Sequence, residues 1–355
     1  MDMDMKSRPS FYMSSFNEYT KTLSKFVLFL FIFLAINNFF EVQLENIAGS
    51  TDLYAQVKWN EFYGLPSNSV NLVFIGSSYS YRTFDPEVFD KKLNINSFNM
   101  GSPLQKPVET YYVLKETLKY QKPSLVVLDI NWGLFNDDKY LNTKLWNFDN
   151  MKFSANKIGY LLNVFDVDQY SYALFKTVRY HQHTEELIKK LMGKDVTASS
   201  VNLDSYLKNY KGKGFIVDNN VVDVNTIKSK FDNAIKSPKT YVWNKKQLKY
   251  LDKIVNLCKK KGIKLIFVTA PQSPIYLELY DAYWFDYENI NKTANKIADM
   301  YEVEYIDYNM INKEKKLVTN EDFSDSSHLN YGGAQKISSH LAQYLLNSKG
   351  KYFKK

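Results

Sequence analysis

The chain has 355 residues, 45% of them hydrophobic and 24% charged, a balance that supplies a sizeable core and excludes a wholly disordered chain. Its mean hydropathy of −0.39 excludes a multi-span membrane protein, and its single cysteine, Cys258, excludes a disulfide framework or a cysteine-based zinc site. The formal net charge is +8, yet the basic residues are scattered rather than striped, so the sequence predicts no nucleic-acid partner.

The most apolar segment lies near the N-terminus. From Phe26 to Phe40 the chain carries no charge, roughly 15 residues against the ~20 of a complete membrane span. Lys25 and Glu41 can lengthen this span by snorkelling, and the positive-inside rule places the preceding cations in the cytoplasm. We therefore predict a cytoplasmic N-terminus over 1–24 and a transmembrane signal-anchor over 25–44, with the remainder outside the cell. A cleaved signal peptide and a buried core helix are the alternatives.

After a polar connector predicted over 45–69, short apolar runs alternate with helical patterns. The runs are rich in β-branched and aromatic residues, which is typical of strands covered on both faces. They are Val70–Ile75, Ser97–Met100, Leu125–Ile130, Leu265–Thr269 and Glu304–Asp307. The helical patterns are Val108–Tyr120, Asn244–Lys261, Tyr287–Tyr301 and Ala334–Leu346. The alternation predicts an α/β domain over 70–346, a three-layer doubly wound parallel sheet, followed by a basic tail over 347–355.

A long stretch separates the third predicted strand from the fourth. Residues 139–241 far exceed the length of a crossover loop and contain two helix-like stretches, Asn156–Phe165 and Tyr170–Met192. We predict a large, mainly helical insertion over the carboxyl ends of the strands, where such folds keep their sites. We interpret the His181-Gln182-His183 motif as a solvated helix face, so the sequence predicts no metal site, and no cofactor fingerprint occurs.

Two motifs carry the candidate chemistry. Gly76-Ser77-Ser78 follows the first strand, where glycine permits a sharp turn and a serine lies beside backbone N–H groups. Asp325-Ser326-Ser327-His328 precedes the last helix, and a three-residue spacing across a turn lets the carboxylate orient the imidazole as a base. Each motif alone also fits a structural turn or a solvated loop.

In this chain order the two motifs resemble those of the SGNH/GDSL hydrolase superfamily, and the resemblance covers 70–346. It implies Ser78 as the nucleophile and as an oxyanion donor through its N–H, His328 as the general base and Asp325 as the carboxylate partner of the histidine. The superfamily's second block, a glycine after the second strand, matches Gly101. Its third block, G-x-N-D, is reduced to Asn131, which with Gly101 would complete the oxyanion hole. Ser77 stands where the superfamily usually has aspartate.

The resemblance also implies acyl transfer through an acyl-enzyme. An anchor followed by a G-S-S block is similar to extracytoplasmic members that work beside membrane-bound O-acyltransferases, including the D-alanyl transfer proteins of teichoic-acid modification. We therefore expect a membrane-anchored O-acyltransferase, transferring acetyl, that acts on a cell-surface or secreted polysaccharide and receives its acyl group from a membrane-bound O-acyltransferase. The alternatives are a carbohydrate esterase, D-alanyl transfer to teichoic acid, and a non-catalytic glycan-binding or scaffolding domain.

Overall fold

The computed structural model forms two units. One comprises Met1–Thr51 with Ser171–Val201, and the other comprises Asp52–Tyr170 with Asn202–Lys355. Within them the structure describes residues 11–48, 53–136, 140–196, 207–237 and 239–353.

A five-stranded parallel sheet forms the centre of the larger unit, in the order β2-β1-β3-β6-β7. Its strands are β1 (Leu72–Ile75), β2 (Ser97–Asn99), β3 (Leu125–Asp129), β6 (Lys264–Thr269) and β7 (Glu304–Asp307). A separate antiparallel hairpin joins β4 (Tyr210–Gly212) to β5 (Phe215–Ile216). The chain leaves β1 for β2 on one side and returns to β3 on the other. The carboxyl ends of β1 and β3 therefore lie side by side at a topological switch point, where α/β sheets bind ligands.

Helices flank this sheet on both faces. Leu72 and Phe74 of β1 share a core cluster with Phe89 and Leu341 from two helices, while Val73 alternates to the opposite face. The helices of the larger unit are Leu53–Gly64, Ser78–Thr83, Pro86–Leu93, Pro107–Tyr120, Leu141–Phe148, Ala155–Val164, Val224–Ser229, Lys245–Lys261, Pro274–Tyr283, Tyr287–Tyr301, Tyr308–Lys315, Tyr331–Asn347 and Lys349–Tyr352. Short 3-10 helices occupy Trp132–Phe135, Val167–Gln169 and Asn320–Asp322. The predicted α/β fold class is confirmed.

The smaller unit is built on one long helix, Phe11–Ala48. From Glu18 onward it is, among the described residues, the one helix long and apolar enough to cross a membrane, and both an anchor and a signal sequence fit it. The helices Lys176–Arg179 and Thr184–Leu191, joined by a 3-10 turn over His181–His183, belong to the same unit. A short helix, Tyr170–Leu174, leads into them.

The connector expected over 45–69 is instead largely helical. The N-terminal helix continues to Ala48, and a further helix covers Leu53–Gly64. Its residues Ala55, Trp59 and Phe62 are buried. Their spacing of four and three places them on one helical face, and burial of this stripe outweighs the polar composition.

The helix expected over Tyr170–Met192 is broken into short pieces. Phe175 adopts an extended conformation, and the N–H of Lys176 donates to Glu41 Oε1 at 2.7 Å. A partner distant in the sequence thus takes a donor that a continuous helix would have used internally. Local helical periodicity cannot reveal such a partner.

The basic tail expected over 347–355 is ordered as far as the structure describes it, to Phe353. Lys349–Tyr352 forms a helical turn, and Tyr352 and Phe353 are buried in the core beside the sheet. Two large aromatic side chains outweigh the neighbouring lysines in fixing this segment.

Candidate active site

The candidate nucleophile lies at a sharp turn where β1 ends. Gly76 has a φ of +140°, and a Cβ there would lie 2.6 Å from the Cβ of Asp129, so the position requires glycine. Ser77 caps the following helix by accepting the N–H of Tyr79 at 3.2 Å. Ser78 is the first residue of that helix, so its N–H has no acceptor within the helix and stays available to a ligand.

Ser78, His328 and Asp325 lie in one hydrogen-bonded line. The distance from His328 Nε2 to Ser78 Oγ is 2.8 Å, and that from His328 Nδ1 to Asp325 Oδ2 is 2.8 Å. An ionised carboxylate accepts only, so Nδ1 carries the proton and Nε2 accepts the hydrogen bond of the serine hydroxyl. The structure thus brings together the three residues predicted as the triad, although Ser78 and His328 are 250 positions apart.

The loop that carries Asp325 is fixed at both ends. A bridge between Phe323 and Leu329 closes it, and Asp325 Oδ1 accepts the N–H groups of Ser327 and His328, each at 2.8 Å. Burial alone would raise the pKa of Asp325, but the hydrogen bond and electrostatic attraction of His328, with these two N–H groups, outweigh it and hold that pKa well below its usual range. The carboxylate therefore stays ionised and stabilises a protonated imidazole.

Asp129 is a site residue that the sequence interpretation did not single out. At the tip of β3, its Oδ2 accepts Ser77 Oγ at 2.5 Å and Ser77 N–H at 3.2 Å, while its Oδ1 accepts Asn131 N–H at 3.0 Å. It is 3% exposed, and burial raises its pKa to about 6 against the opposing effect of these hydrogen bonds. One carboxylate therefore holds the turn before Ser78 and the turn that carries Asn131. The sequence did contain a signal for this role, namely a carboxyl residue at the end of β3, the strand beside β1.

The two predicted oxyanion donors besides Ser78 differ in their present contacts. Asn131 Oδ1 accepts the N–H of Gly133 at 2.9 Å, whereas its Nδ2 is buried and has no partner among the described residues. A buried unpaired donor is costly, so it marks a group held ready for a ligand. Gly101 N–H, in contrast, donates to Asn99 Oδ1 at 3.0 Å, and an oxyanion would have to share or replace that bond.

Tyr79 and Gln272, which the sequence interpretation also missed, connect the histidine to a cavity. The Tyr79 ring lies 5.3 Å from the His328 ring, tilted by 30°, and Gln272 Nε2 donates to Tyr79 Oη at 2.7 Å. Burial raises the pKa of Tyr79, so it stays neutral. Gln272 lines a cavity of about 490 Å³, and its Oε1 is buried without a partner among the described residues. Amide and hydroxyl side chains of Asn309, Asn312, Thr319 and Asn320 also line it.

A buried lysine contacts the second predicted block. Lys58 Nζ donates to the carbonyl oxygen of Gly101 at 2.8 Å, and the lysine is 3% exposed. Burial lowers its pKa to about 7. The helix Leu53–Gly64 thereby fixes the loop after β2, a role that sequence could not indicate because the segment read as a connector.

This arrangement can activate a hydroxyl nucleophile. His328 can take the proton of Ser78, Asp325 can stabilise the resulting imidazolium, and the Ser78 N–H with Asn131 Nδ2 can receive an oxyanion. Among the described residues, no cluster of histidine, cysteine, aspartate and glutamate could hold a metal ion.

A family model described as "Protein of unknown function" matches residues 26–344. The chain belongs to the DUF1574 family. No curated protein matches the DUF1574 chain. The serine at the tip of β1, the D-x-x-H motif before the last long helix and the parallel sheet confirm the resemblance of this DUF1574 member to SGNH hydrolases.

Solved structures similar to the DUF1574 chain include a GDSL-like lipase from Bacteroides thetaiotaomicron. It is 12% identical, with a TM-score of 0.37, and the match covers 83% of this chain and 99% of that one. A protein from Desulfitobacterium hafniense described as a lipolytic protein of the G-D-S-L family is 10% identical, with a TM-score of 0.36, covering 77% of this chain and 98% of that one. At such identities and TM-scores, the interpretation of the site depends on its own geometry and not on these likenesses.

Proposed function

We propose that this protein is a membrane-anchored serine O-acyltransferase that acylates hydroxyl groups of a cell-surface or secreted polysaccharide outside the cell, with acetyl as the acyl group. The observation that carries the proposal is the continuous line from Ser78 through His328 to Asp325, at 2.8 Å for each link. A line of this kind is the arrangement that activates a serine hydroxyl.

In the first half-reaction the acyl group moves to the enzyme. Ser78 Oγ attacks the carbonyl carbon of the donor ester or thioester while His328 Nε2 takes its proton. The carbonyl electrons move to the oxygen, which accepts hydrogen bonds from the Ser78 N–H and Asn131 Nδ2. The tetrahedral intermediate then expels the donor's alkoxide or thiolate, which leaves protonated by His328. The product is an acyl-enzyme ester at Ser78.

The second half-reaction repeats these steps with the acceptor. A sugar hydroxyl gives its proton to His328 Nε2 and attacks the acyl carbon, and Ser78 leaves with the proton returned by His328. If water takes the place of the sugar, the same site is an esterase. The cavity beyond Tyr79 is the candidate acceptor site, because Gln272 Oε1 there is buried without a partner among the described residues and the charged side chains of Glu278, Asp281 and Lys313 also line it.

The packing of the N-terminal helix within its own unit supports an anchor rather than a cleaved signal. Leu44 and Ile47 are buried against Leu187, and Lys176 Nζ pairs with Glu45 at 2.8 Å. A segment that is to be removed would not be expected to contribute to the core of the folded protein. Activated acyl thioesters are made in the cytoplasm, so an extracytoplasmic enzyme requires a membrane protein, such as a membrane-bound O-acyltransferase, to pass the acyl group across.

Purified full-length protein tests the proposal with a chromogenic acetate ester, in the presence and absence of a glycan acceptor. Acetate found on the glycan supports transfer. Release of acetate to water alone, unaffected by any acceptor, would establish an esterase instead. Ser78→Ala should abolish either reaction, and Ser237→Ala, at an exposed serine, is the matched control. Activity that persists in Ser78→Ala overturns the assignment of the nucleophile, and complete inactivity of the wild type favours a scaffolding or glycan-binding role.

A further inference from the structure

One segment packs along the C-terminal half of the N-terminal helix, within the same unit. We call residues 174–192 the companion segment; it contains the helices Lys176–Arg179 and Thr184–Leu191. Leu187 of this segment shares a buried cluster with Leu44 and Ile47 of the long helix. The companion segment is therefore fixed to the helix that we propose as the membrane anchor.

The companion segment pairs polar groups that fall within the span. Twenty residues from Lys25, about the length of a complete span, reach Leu44 and include Asn37 and Glu41. Thr177 Oγ1 donates to Asn37 Oδ1 at 2.8 Å, and the N–H of Lys176 donates to Glu41 Oε1 at 2.7 Å. Polar groups at membrane depth require such partners. The beginning of the companion segment thus supplies them at the depth where the anchor loses its apolar character.

A ring contact extends the companion segment further down the anchor. The Phe175 ring lies 6.2 Å from the Phe33 ring, edge to face. Phe33 precedes Glu41 by two helical turns, about 12 Å along the axis. The contact therefore places Phe175 beside the uncharged run of the anchor, which alone is shorter than a bilayer core.

Apolar side chains are exposed at both ends of the companion segment, with the exposed polar residues His181, Gln182 and Glu185 between them. Leu174 is 50% exposed and Val178 is 41% exposed, and at the far end Ile188, Leu191 and Met192 are exposed as well. Exposed lysines, Lys189 and Lys190, lie among the latter group. Apolar side chains beside lysines on short helices are typical of elements that lie in the interface of a bilayer.

We propose that the companion segment lies in the outer lipid interface, with Leu174 and Val178 among acyl chains and Ile188 to Met192 at the level of the headgroups. The occupant of the exposed apolar surface is lipid, because this surface is continuous with a helix that we propose to span the bilayer. The inference rests on the proposed function only through that anchor.

Single cysteines in the full-length protein test this proposal. The native Cys258 is 1% exposed, and burial raises its pKa to about 12, so the unsubstituted protein serves as the blank for thiol labelling. A polarity-sensitive fluorophore is attached to Leu174→Cys or Val178→Cys in phosphatidylcholine–phosphatidylglycerol proteoliposomes. Val27→Cys, in the anchor, is the lipid reference, and Ile235→Cys, 84% exposed in the larger unit, is the aqueous reference. Spin-labelled lipids and a water-soluble nickel chelate are the quenchers.

The expected result is blue-shifted emission at 174 and 178, quenched by the spin-labelled lipid as strongly as at 27 and little by nickel. Nickel quenching equal to that at 235 would overturn the proposal. Labels at 174 and 178 that nickel quenches in proteoliposomes but not in native membranes would also overturn the proposal. That result would indicate that a membrane-protein partner covers this surface. If position 27 itself reports water, the anchor is wrong; if only 174 and 178 do, the anchor stands and this inference fails.

Discussion

Ser77 Oγ donates a hydrogen bond of 2.5 Å to Asp129 Oδ2, linking the tip of β1 to the tip of β3. Both residues depart from the SGNH pattern, in which aspartate precedes the nucleophilic serine and glycine begins the third block. The two departures contact each other. The superfamily has a carboxylate on the residue before the nucleophile. Here the carboxylate lies on the neighbouring strand, and it still accepts hydrogen bonds from the turn before Ser78.

This pairing predicts that a second substitution at Asp129 restores activity lost by substitution of Ser77. Ser77→Asp alone places two carboxylates against each other, and we expect the resulting misplacement of Ser78 to lower kcat/KM by about a hundredfold. The double variant with Asp129→Gly restores the superfamily arrangement and should recover part of that loss, the remainder reflecting the acceptor of Asn131 N–H that glycine does not supply. Steady-state kinetics on a chromogenic ester measure both. A double variant no better than Ser77→Asp would show that the pair does not act as a unit.

Asp129→Asn should make the protein more stable at neutral and higher pH and less active. Because burial raises the folded pKa to about 6 from the ordinary 3.8, the folded state binds this proton more tightly than the unfolded state between those values. The free energy of unfolding therefore falls as pH rises through that window, and the ionised form costs up to about 3 kcal/mol above it. The asparagine avoids this cost.

Thermal unfolding at pH 4 and pH 8 measures the effect. We expect the Tm of Asp129→Asn relative to wild type to be higher at pH 8 than at pH 4. We expect kcat/KM to fall because the amide has one oxygen where the carboxylate has two, so the N–H of either Ser77 or Asn131 loses its acceptor. An equal Tm difference at both pH values would mean that Asp129 titrates normally.

Removal of the Asn131 amide should lower kcat and leave KM nearly unchanged. Asn131→Ala removes the unpaired Nδ2 donor, and the loss of one oxyanion donor costs about 10²–10³ in kcat. Asn131→Asp also lacks the Nδ2 donor but keeps an oxygen that accepts the N–H of Gly133. Its activity therefore reports the loss of the donor without the loss of the turn. Both variants should keep KM near that of the wild type. A change confined to KM would assign Asn131 to binding in the ground state instead.

Lys58→Met should stabilise the protein, most at low pH. Burial lowers the folded pKa to about 7 from 10.5, so the unfolded state binds this proton more tightly between those values. The stability of the wild type therefore falls as pH drops through that window, by at most about 5 kcal/mol, and methionine carries no such charge. Denaturant unfolding at pH 6 and pH 9.5 should show the larger gain at pH 6. A uniform loss at both would mean that the bond to Gly101 outweighs the buried charge.

The sheet was predictable because β1, β3 and β6 are short, mainly apolar runs, and because β2 and β7 are short segments that alternate with helical patterns. All five predicted strands occur within two residues of their expected ends, and the helix predicted at Asn244–Lys261 is found at Lys245–Lys261 with Gly262 at its C-cap. The segments around Trp59 and Phe175 were predicted wrongly. Their conformations depend on burial and on partners 88 and 135 positions away, which local periodicity does not contain.

The triad was predictable because serine and D-x-x-H lie in short motifs at strand and helix ends. Asp129 was visible at the end of a strand, but its partner depends on β3 lying next to β1, which only the sheet order reveals. Tyr79 gave no signal, because its place against His328 depends on how the loop that carries His328 folds back over the helix Ser78–Thr83.

The contacts of Asn37 and Glu41 have a consequence for how the protein is made. Their partners Thr177 and Lys176 follow 140 and 135 positions later. At about 5–20 residues per second, ribosomes synthesise that stretch in roughly 7–28 s. For that interval the two side chains of the nascent anchor have each other, since Asn37 Nδ2 donates to Glu41 Oε1 at 2.8 Å, while the bonds from Thr177 and Lys176 form only when the later segment arrives.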